Sequence, residues 1–207
     1  MNRFHIIILL IFLGFIAKSQ NTVWFLNGDK MNINSFTVDT TKLLITYKNK
    51  RNKEKYIDID NVFSLTDSTG KEQIFYLPVR LEEDSDTFNV EQMRSFVQGE
   101  FDADNEHKAR LAFASGIVAG ASGAFVFSGG LLFWSPIVPL SNGVVVGMTK
   151  PKTSKVIKLH PDRATDEHYI MGYRESAAGK RTSSAIKGGL IGLGLGILAG
   201  IIYVNVN

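Results

Sequence analysis

The hydrophobic pattern divides the chain into a first part of short alternating segments and a second part with two long apolar stretches. Residues 111–149 contain no charged side chain, and residues 184–204 contain one, Lys187. Because about 20 apolar residues span a bilayer, residues 111–149 predict a helical hairpin, or one span plus a re-entrant piece. Residues 184–204 predict a further transmembrane helix. Pro136 and Pro139 favour the hairpin, since prolines interrupt a helix.

Residues 20–80 alternate between apolar and polar positions over short runs, which is typical of half-buried strands. The pair Asn27-Gly28 predicts a hairpin with a type I′ turn, whose two central residues need positive φ. We therefore expect a small antiparallel β barrel or meander, in which the aromatic residues fill a core rather than a ligand-binding face. The strands are predicted at residues 22–26, 31–38, 42–47, 56–59, 61–65 and 71–77, and the core at Val23, Phe25, Ile33, Phe36, Leu44, Ile45, Tyr47, Ile57, Ile59, Val62, Phe63, Ile74 and Tyr76.

Residues 81–110 form an acidic linker followed by an amphipathic neck helix over residues 89–110. Apolar residues recur there with the spacing of one helical face. The segment DADNEH (residues 102–107) resembles the start of a calcium loop, but His107 takes the place of the required glycine and Phe113 that of the glutamate. A solvated acidic helix face is the simpler interpretation.

Residues 1–19 match a signal peptide. Arg3 precedes the apolar run from Phe4 to Ala17, and Ala17 and Ser19 are small residues suited to cleavage before Gln20. The alternative is an uncleaved N-terminal anchor. In both cases the β domain is expected to be exported.

Small residues recur at every fourth position in both apolar stretches, which is the most specific pattern in the chain. Helices in lipid associate through close packing at small residues rather than through hydrophobicity. We therefore predict tight helix packing, either between the two stretches of one chain or between chains of an oligomer. The predicted packing residues are Ala112, Gly116, Gly120, Ala124 and Ser128 in the first stretch, and Gly188, Gly192, Gly196 and Gly200 in the second.

An internal repeat precedes these stretches. The segments FVQGEFDA (residues 96–103) and YIMGYRES (residues 169–176) share an aromatic, an aliphatic, a glycine, an acidic and a small position. The separation in sequence between the two motifs is one residue longer than the separation between the two small-residue patterns that follow them. The repeat therefore contains a slip of one residue. Such self-similarity is evidence for duplication.

Charge is distributed unevenly along the 207 residues. Residues 20–149 carry a net charge of −4 and residues 150–207 one of +5. Residues 150–183 are predicted to form a basic linker with an interfacial helix before the last span. If residues 111–149 cross the membrane once, this linker is cytoplasmic, in agreement with the enrichment of Lys and Arg there. If they form a hairpin, which the prolines favour, the linker returns to the exported side.

Several chemistries are excluded or unsupported. The chain has no cysteine, which excludes disulfides, Cys-ligated metals and thiol nucleophiles. The four histidines lack the spacing of a metal site, and neither a Gly-x-Ser-x-Gly elbow nor a phosphate loop is present. The basic segment KNKRNKEK (residues 48–55) joins two predicted strands, so a solvated hairpin tip is favoured over nucleic-acid binding. We expect no enzymatic activity, no cofactor and no nucleic-acid partner.

The segments NTVWFLNGDKMNI, IDNVFSL, FVQGEFDA, SPIVPL, MTKPK and HYIMGYRESAAGKR together resemble a group of uncharacterised envelope proteins typical of the Bacteroidota. The resemblance covers nearly the whole chain after residue 19. It implies a signal peptide, a small β domain and glycine-rich membrane helices, and thus a location but no activity.

These observations predict an α+β membrane protein with two to three glycine-rich transmembrane helices after the β domain and neck. The leading hypothesis is a non-enzymatic envelope protein in the inner membrane, with the β domain on the periplasmic side as an interaction or structural module. Its expected partners are the lipid bilayer and a second copy of the chain or another envelope protein. The alternative is a small pore or a transport accessory, in which glycine-lined helices surround a path.

Overall fold

The computed structural model describes residues 20–49, 51–78, 87–126 and 135–206. The chain divides into two compact units, Met1–Val79 and Arg80–Asn207, which we call the β unit and the helical unit. The predicted signal peptide, the acidic run at residues 82–86 and Ser128 lie outside the described residues.

The β unit contains seven described strands in two antiparallel sheets. The first sheet has the order β2-β1-β6-β7 and the second the order β3-β4-β5. The predicted antiparallel pairing is confirmed, and the second sheet has the order of a meander. The predicted closed barrel is wrong, because β1 pairs with the distant β6 and no described strand pair joins the two sheets. The strands are β1 (Asn21–Phe25), β2 (Lys30–Ile33), β3 (Phe36–Asp39), β4 (Leu44–Lys48), β5 (Glu54–Asp58), β6 (Val62–Thr66) and β7 (Glu72–Ile74).

Two predicted strands are shorter in the structure. The stretch 31–38 is divided at Asn34 and Ser35 into β2 and β3, which belong to different sheets. The last predicted strand, residues 71–77, is reduced to β7. After β7 the chain still contacts β6, because the backbone amides of Phe75 and Tyr76 both donate to the carbonyl oxygen of Phe63.

The turn at Asn27-Gly28 is a hairpin turn of a different type from the predicted one. Gly28 has a φ of 81°, whereas Asn27 is not among the described residues with positive φ. The amide of Phe25 donates to the carbonyl of Asp29 at 2.9 Å. A single left-handed residue at the end of a three-residue loop identifies a type I turn with a glycine bulge rather than a type I′ turn.

The core of the β unit lies between the two sheets. Both sheets contribute buried aliphatic residues, as expected when two inward faces pack together. Among the predicted core residues Ile74 is wrong, since it is 40% exposed, and Leu65 is a core residue that the prediction lacks. The buried cluster consists of Val23, Ile33, Ile45, Ile57, Ile59, Val62 and Leu65, with Phe25, Met31, Phe36, Val38, Tyr47 and Phe75 packed against it.

The buried residue Asn21 ties the edges of the first sheet together. Its Nδ2 donates to the carbonyl oxygen of Asn34 at 2.8 Å, and its Oδ1 accepts from the amide of Ser68 at 2.8 Å. One amide side chain thus satisfies backbone groups at the β2–β3 break and at the β6–β7 turn, which would otherwise lose their partners.

The helical unit contains five described α-helices. They are α1 (Val90–Glu106), α2 (Arg110–Val126), α3 (Ile137–Met148), α4 (Thr153–Leu159) and α5 (Glu167–Val206). A capping box starts α1, because the Asn89 side chain accepts from the amide of Gln92 at 2.9 Å and the Gln92 side chain accepts from the amide of Asn89 at 2.8 Å. Pro139 is tolerated in α3 because it lies in the first turn, where its missing amide is not needed.

One continuous helix replaces the predicted interfacial helix and last span. α5 has 40 residues, which corresponds to about 60 Å at 1.5 Å per residue, and it has no break near residue 183. Within the described residues, Glu167–Tyr203 is the one helix that is long and apolar enough to cross a membrane. The predicted two to three such helices therefore reduce to one by this measure, since α2 and α3 have 17 and 12 described residues.

Candidate functional site

The glycine positions predicted to pack helices lie where α2 meets α5, and we call this contact the small-residue interface. On α2 it contains Gly116 and Gly120, and on α5 it contains Gly188, Gly192 and Gly196. The other predicted positions within the described residues, Ala112, Ala124 and Gly200, are buried as well.

The two helix backbones approach so closely that a side chain would not fit between them. A Cβ atom on Gly116 would overlap the carbonyl oxygen of Ala185, and one on Gly192 would overlap the carbonyl oxygen of Ile117. These collisions are with backbone atoms, which cannot rotate away. Glycine is therefore required here by space, in the manner of closely packed helices in lipid.

The helices run parallel, and their contacts obey a local two-fold relation. In the repeat, Gly116 corresponds to Gly188 and Phe113 corresponds to Ala185. Gly116 meets the carbonyl oxygen of Ala185, and Gly188 meets the carbonyl oxygen of Phe113. One helical turn further on, the same exchange relates the next pair of glycines. A symmetric dimer makes such reciprocal contacts between two chains; this chain makes them with itself.

The repeated motifs before the small-residue interface also contact each other. Gly99 of FVQGEFDA meets the carbonyl oxygen of Tyr169, and Gly172 of YIMGYRES meets the carbonyl oxygen of Phe96. Because Gly99 and Gly172 hold the same place in the two motifs, as do Phe96 and Tyr169, this crossing is reciprocal too. The internal repeat is thus a pair of matching helical segments that pack against one another.

The one-residue slip in the repeat has a structural location. In the first copy, the helix is interrupted at residues 107–109, between α1 and α2, whereas α5 runs through the second copy without a break. His107 is extended, with φ −70° and ψ 121°. The additional residue of the first copy is taken up in this interruption, so both glycine crossings keep their register.

α3 packs on the pair formed by α2 and α5, and it runs antiparallel to α5. Close to its start, Pro139 contacts Gly189, and close to its end Gly147 approaches Thr182. Ala185 and Gly189 are interface residues that the four-residue spacing did not select. They lie three residues before Gly188 and Gly192, on the same helical face, which is the signal that could have identified them.

Polar side chains cluster beside the crossing of α1 and α5. The Tyr169 hydroxyl donates to Asp102 Oδ2 at 2.8 Å, and Gln98 Nε2 donates to Asp102 Oδ1 at 2.8 Å. His160 Nε2 lies 3.0 Å from Glu106 Oε2, without the geometry of a hydrogen bond. These contacts connect α1 to α5 and to the segment after α4.

The interruption between α1 and α2 lies in a positive environment. Burial and the charges of Lys155, Arg181 and Lys180 lower the pKa of His107 below its usual value. The Arg181 guanidinium donates to the carbonyl oxygen of Thr149, and Lys180 pairs with Asp104 at 3.5 Å. Basic residues from three segments therefore meet at the end of the helical unit where α2 begins and α3 ends.

His160 and His168 each pack against aromatic rings. His160 packs against the rings of Tyr169 and Tyr173, with centroid distances of 5.4 and 5.6 Å, and His168 contacts the Phe88 ring edge-on at 4.9 Å. Among the described residues, no group of three or more His, Asp or Glu side chains could hold a metal ion.

Comparisons with known proteins give no relative. No protein-family model matches the chain, and neither a curated protein nor a solved structure matches it.

Proposed function

We propose that the protein is a non-enzymatic, membrane-anchored envelope protein whose exported β unit serves interaction or structural support. One observation carries the proposal: α2, α3 and the part of α5 that packs on them meet through small residues and expose large apolar residues. Leu111 is 88% exposed and Met148 is 77% exposed, while Ala124 is fully buried. Soluble monomers rarely expose large contiguous apolar patches, whereas lipid-facing helices do so as a rule.

The exposed apolar side chains occur on all three helices of the small-residue core. They are Leu111, Phe113, Val118 and Phe125 on α2, Ile137, Leu140, Val144, Val145 and Met148 on α3, and Leu190, Ile191, Leu195, Leu198, Ile201, Ile202 and Tyr203 on α5. A shell of this kind around a glycine and alanine interior fits a surface solvated by acyl chains. It supports insertion of the whole three-helix core.

We further propose that α2 and α3 form a membrane hairpin, so that the core consists of three transmembrane helices. α2 and α5 run parallel and α3 runs antiparallel to α5, which is the arrangement that a hairpin followed by a last span requires. The 17 described residues of α2 reach about 25 Å, close to the roughly 30 Å thickness of the hydrocarbon core. Residues 150–166 would then lie on the same side of the membrane as the β unit.

Membrane retention tests the anchoring proposal. The full-length protein, expressed in a bacterium with two membranes, is expected to stay in the membrane pellet after washing with alkaline carbonate. Peripheral proteins are released by this wash, while inserted helices are not. Recovery of the protein in the soluble fraction would contradict the proposal.

Single cysteines test the sidedness, because the chain has no native thiol. Ser154→Cys lies on the exposed surface of α4, and the matched control Ser35→Cys lies on the exposed surface of the β unit. With the outer membrane permeabilised and the inner membrane intact, an impermeant maleimide is expected to label both. Labelling of Ser35→Cys alone would place the 150–166 segment in the cytoplasm and refute the hairpin.

We assign the protein to the inner membrane, since helices rather than strands would span it, and to the group of Bacteroidota envelope proteins that its motifs resemble. A second copy of the chain or another envelope protein would bind through the β unit or through outer helix surfaces. The glycine faces contact each other within one chain, so they do not favour the alternative of a glycine-lined pore.

A further inference from the structure

A basic cavity of about 350 Å³ opens at the end of the helical unit where α2 begins and α3 ends. Three parts of the helical unit line it: residues 107–112, residues 150–152 together with Lys155, and Arg181. None of the described residues that line it carries a carboxylate. The charged side chains around it are Lys108, Arg110, Lys150, Lys152, Lys155 and Arg181.

Most of this positive charge is uncompensated within the described residues. Lys150 pairs with Glu175. Lys108, Arg110, Lys152 and Lys155 have no carboxylate within ion-pair distance in the described parts of the chain. Cations held close together repel each other, and an anion with several acceptor oxygens relieves this repulsion through charge-assisted hydrogen bonds.

The cavity also borders the apolar surface of the helical unit. Leu111 lines it and is 88% exposed, and Met148 ends α3 two residues before Lys150. A small soluble anion would make no favourable contact with this apolar surface. An amphiphile with an anionic head and apolar chains would match both parts of the surface.

We propose that the basic cavity binds the phosphate headgroup of an anionic phospholipid, whose acyl chains lie along the apolar surface next to Leu111. The proposal rests on the proposed membrane anchoring. It also explains how a strongly basic end of the helical unit is tolerated on the exported side of a membrane, where Lys and Arg are usually depleted. The headgroups there supply the counter-charge.

Two lysines of α4 provide a matched pair for the test. Lys155 lines the cavity, whereas Lys158, on the same short helix and also exposed, does not. The full-length protein in a neutral detergent is titrated with phosphatidylglycerol, and bound lipid is counted by native mass spectrometry. Lys155→Gln is expected to weaken binding about 5-fold, and the double variant Lys152→Gln/Lys155→Gln about 25-fold, from about 1 kcal/mol per basic residue near a lipid surface. Lys158→Gln is expected to bind like the wild type.

Three results would overturn the proposal. Equal losses in Lys155→Gln and Lys158→Gln would indicate diffuse surface charge. Equal binding of phosphatidylcholine and phosphatidylglycerol would exclude a site for anionic headgroups. Displacement of the lipid by millimolar inorganic phosphate would indicate a site for a soluble anion. Carbonate retention of the same variants separates this proposal from the anchoring proposal, because loss of headgroup binding is expected to leave retention unchanged.

Discussion

The core of the β unit and the small-residue interface of the helical unit are packed in opposite ways. In the β unit, Val23, Ile45 and Phe63 are fully buried and polar side chains face outward. In the helical unit, glycine and alanine occupy the contact between α2 and α5, and leucine and isoleucine face outward. The difference matches two different solvents. Burying large apolar groups is favourable in water. In lipid the acyl chains are as apolar as the side chains, so helices gain from association only where they pack closely.

The comparison predicts that large-to-small substitutions in the β unit are costly in its core and not on its surface. Ile45→Ala removes buried methyl groups from between the two sheets and should lower the free energy of unfolding of the β unit by about 3 to 4 kcal/mol. Tyr56→Ala, at a position that is 63% exposed, should change it by less than about 0.5 kcal/mol. Urea titration followed by Trp24 fluorescence, with Trp134 replaced by Phe, measures both. Similar effects at both positions would contradict the proposed core.

The converse prediction concerns small-to-large substitutions in the helical unit. Gly192→Leu pushes a side chain into the backbone of α2 and should destabilise the packing of α2 on α5 by about 2 to 3 kcal/mol. Gly194→Leu adds the same side chain where a Cβ atom meets nothing within 4 Å, and it should be neutral. Unfolding by dodecyl sulfate in mixed micelles, followed by circular dichroism, measures the difference. If the two variants lose the same stability, the small-residue interface is not the main contact between the helices.

Local alternation was sufficient to predict most strands and most of the core of the β unit. It did not predict which strands pair, because β1 and β6 meet through contacts distant in sequence, and alternation reports only the face on which a residue lies. The misplaced residue Ile74 shows the same limit. Its strand ends there, so the alternation expected through residue 77 does not continue, and Phe75 packs on the core instead.

In the helical unit, the sequence contains the signal for contacts between distant segments but not for the extent of α5. Gly188, Gly192 and Gly196, whose spacing predicts helix packing, lie against the backbone of α2, and the repeat contains the two-fold relation between Gly99 and Gly172. The choice between contact within one chain and contact between chains was beyond the sequence, because the same surfaces satisfy both arrangements. The continuity of α5 was missed because charged residues before Ser184 resemble a linker, although charged residues are also good helix formers.

The smallest expected effect concerns how the stability of each unit changes at acidic pH. In the β unit, hydrogen bonds from the Thr69 side chain and the Lys71 backbone lower the pKa of the exposed Asp67 carboxyl, whereas in the helical unit burial and the charges of Lys155, Arg181 and Lys180 lower the pKa of His107. An unfolded histidine takes up its proton near pH 6.5. Below about that pH, the unfolded state binds a proton that the folded state does not yet bind, so stability falls until the lower folded pKa is passed.

His107→Gln should therefore remove part of the loss of stability of the helical unit between about pH 7.5 and about pH 5, by less than about 1 kcal/mol because the imidazole is only half-buried. Dodecyl sulfate unfolding at both pH values, for the wild type and the variant, isolates this contribution from those of the other titrating groups. Identical pH dependence in both proteins would show that His107 is not held in its neutral form.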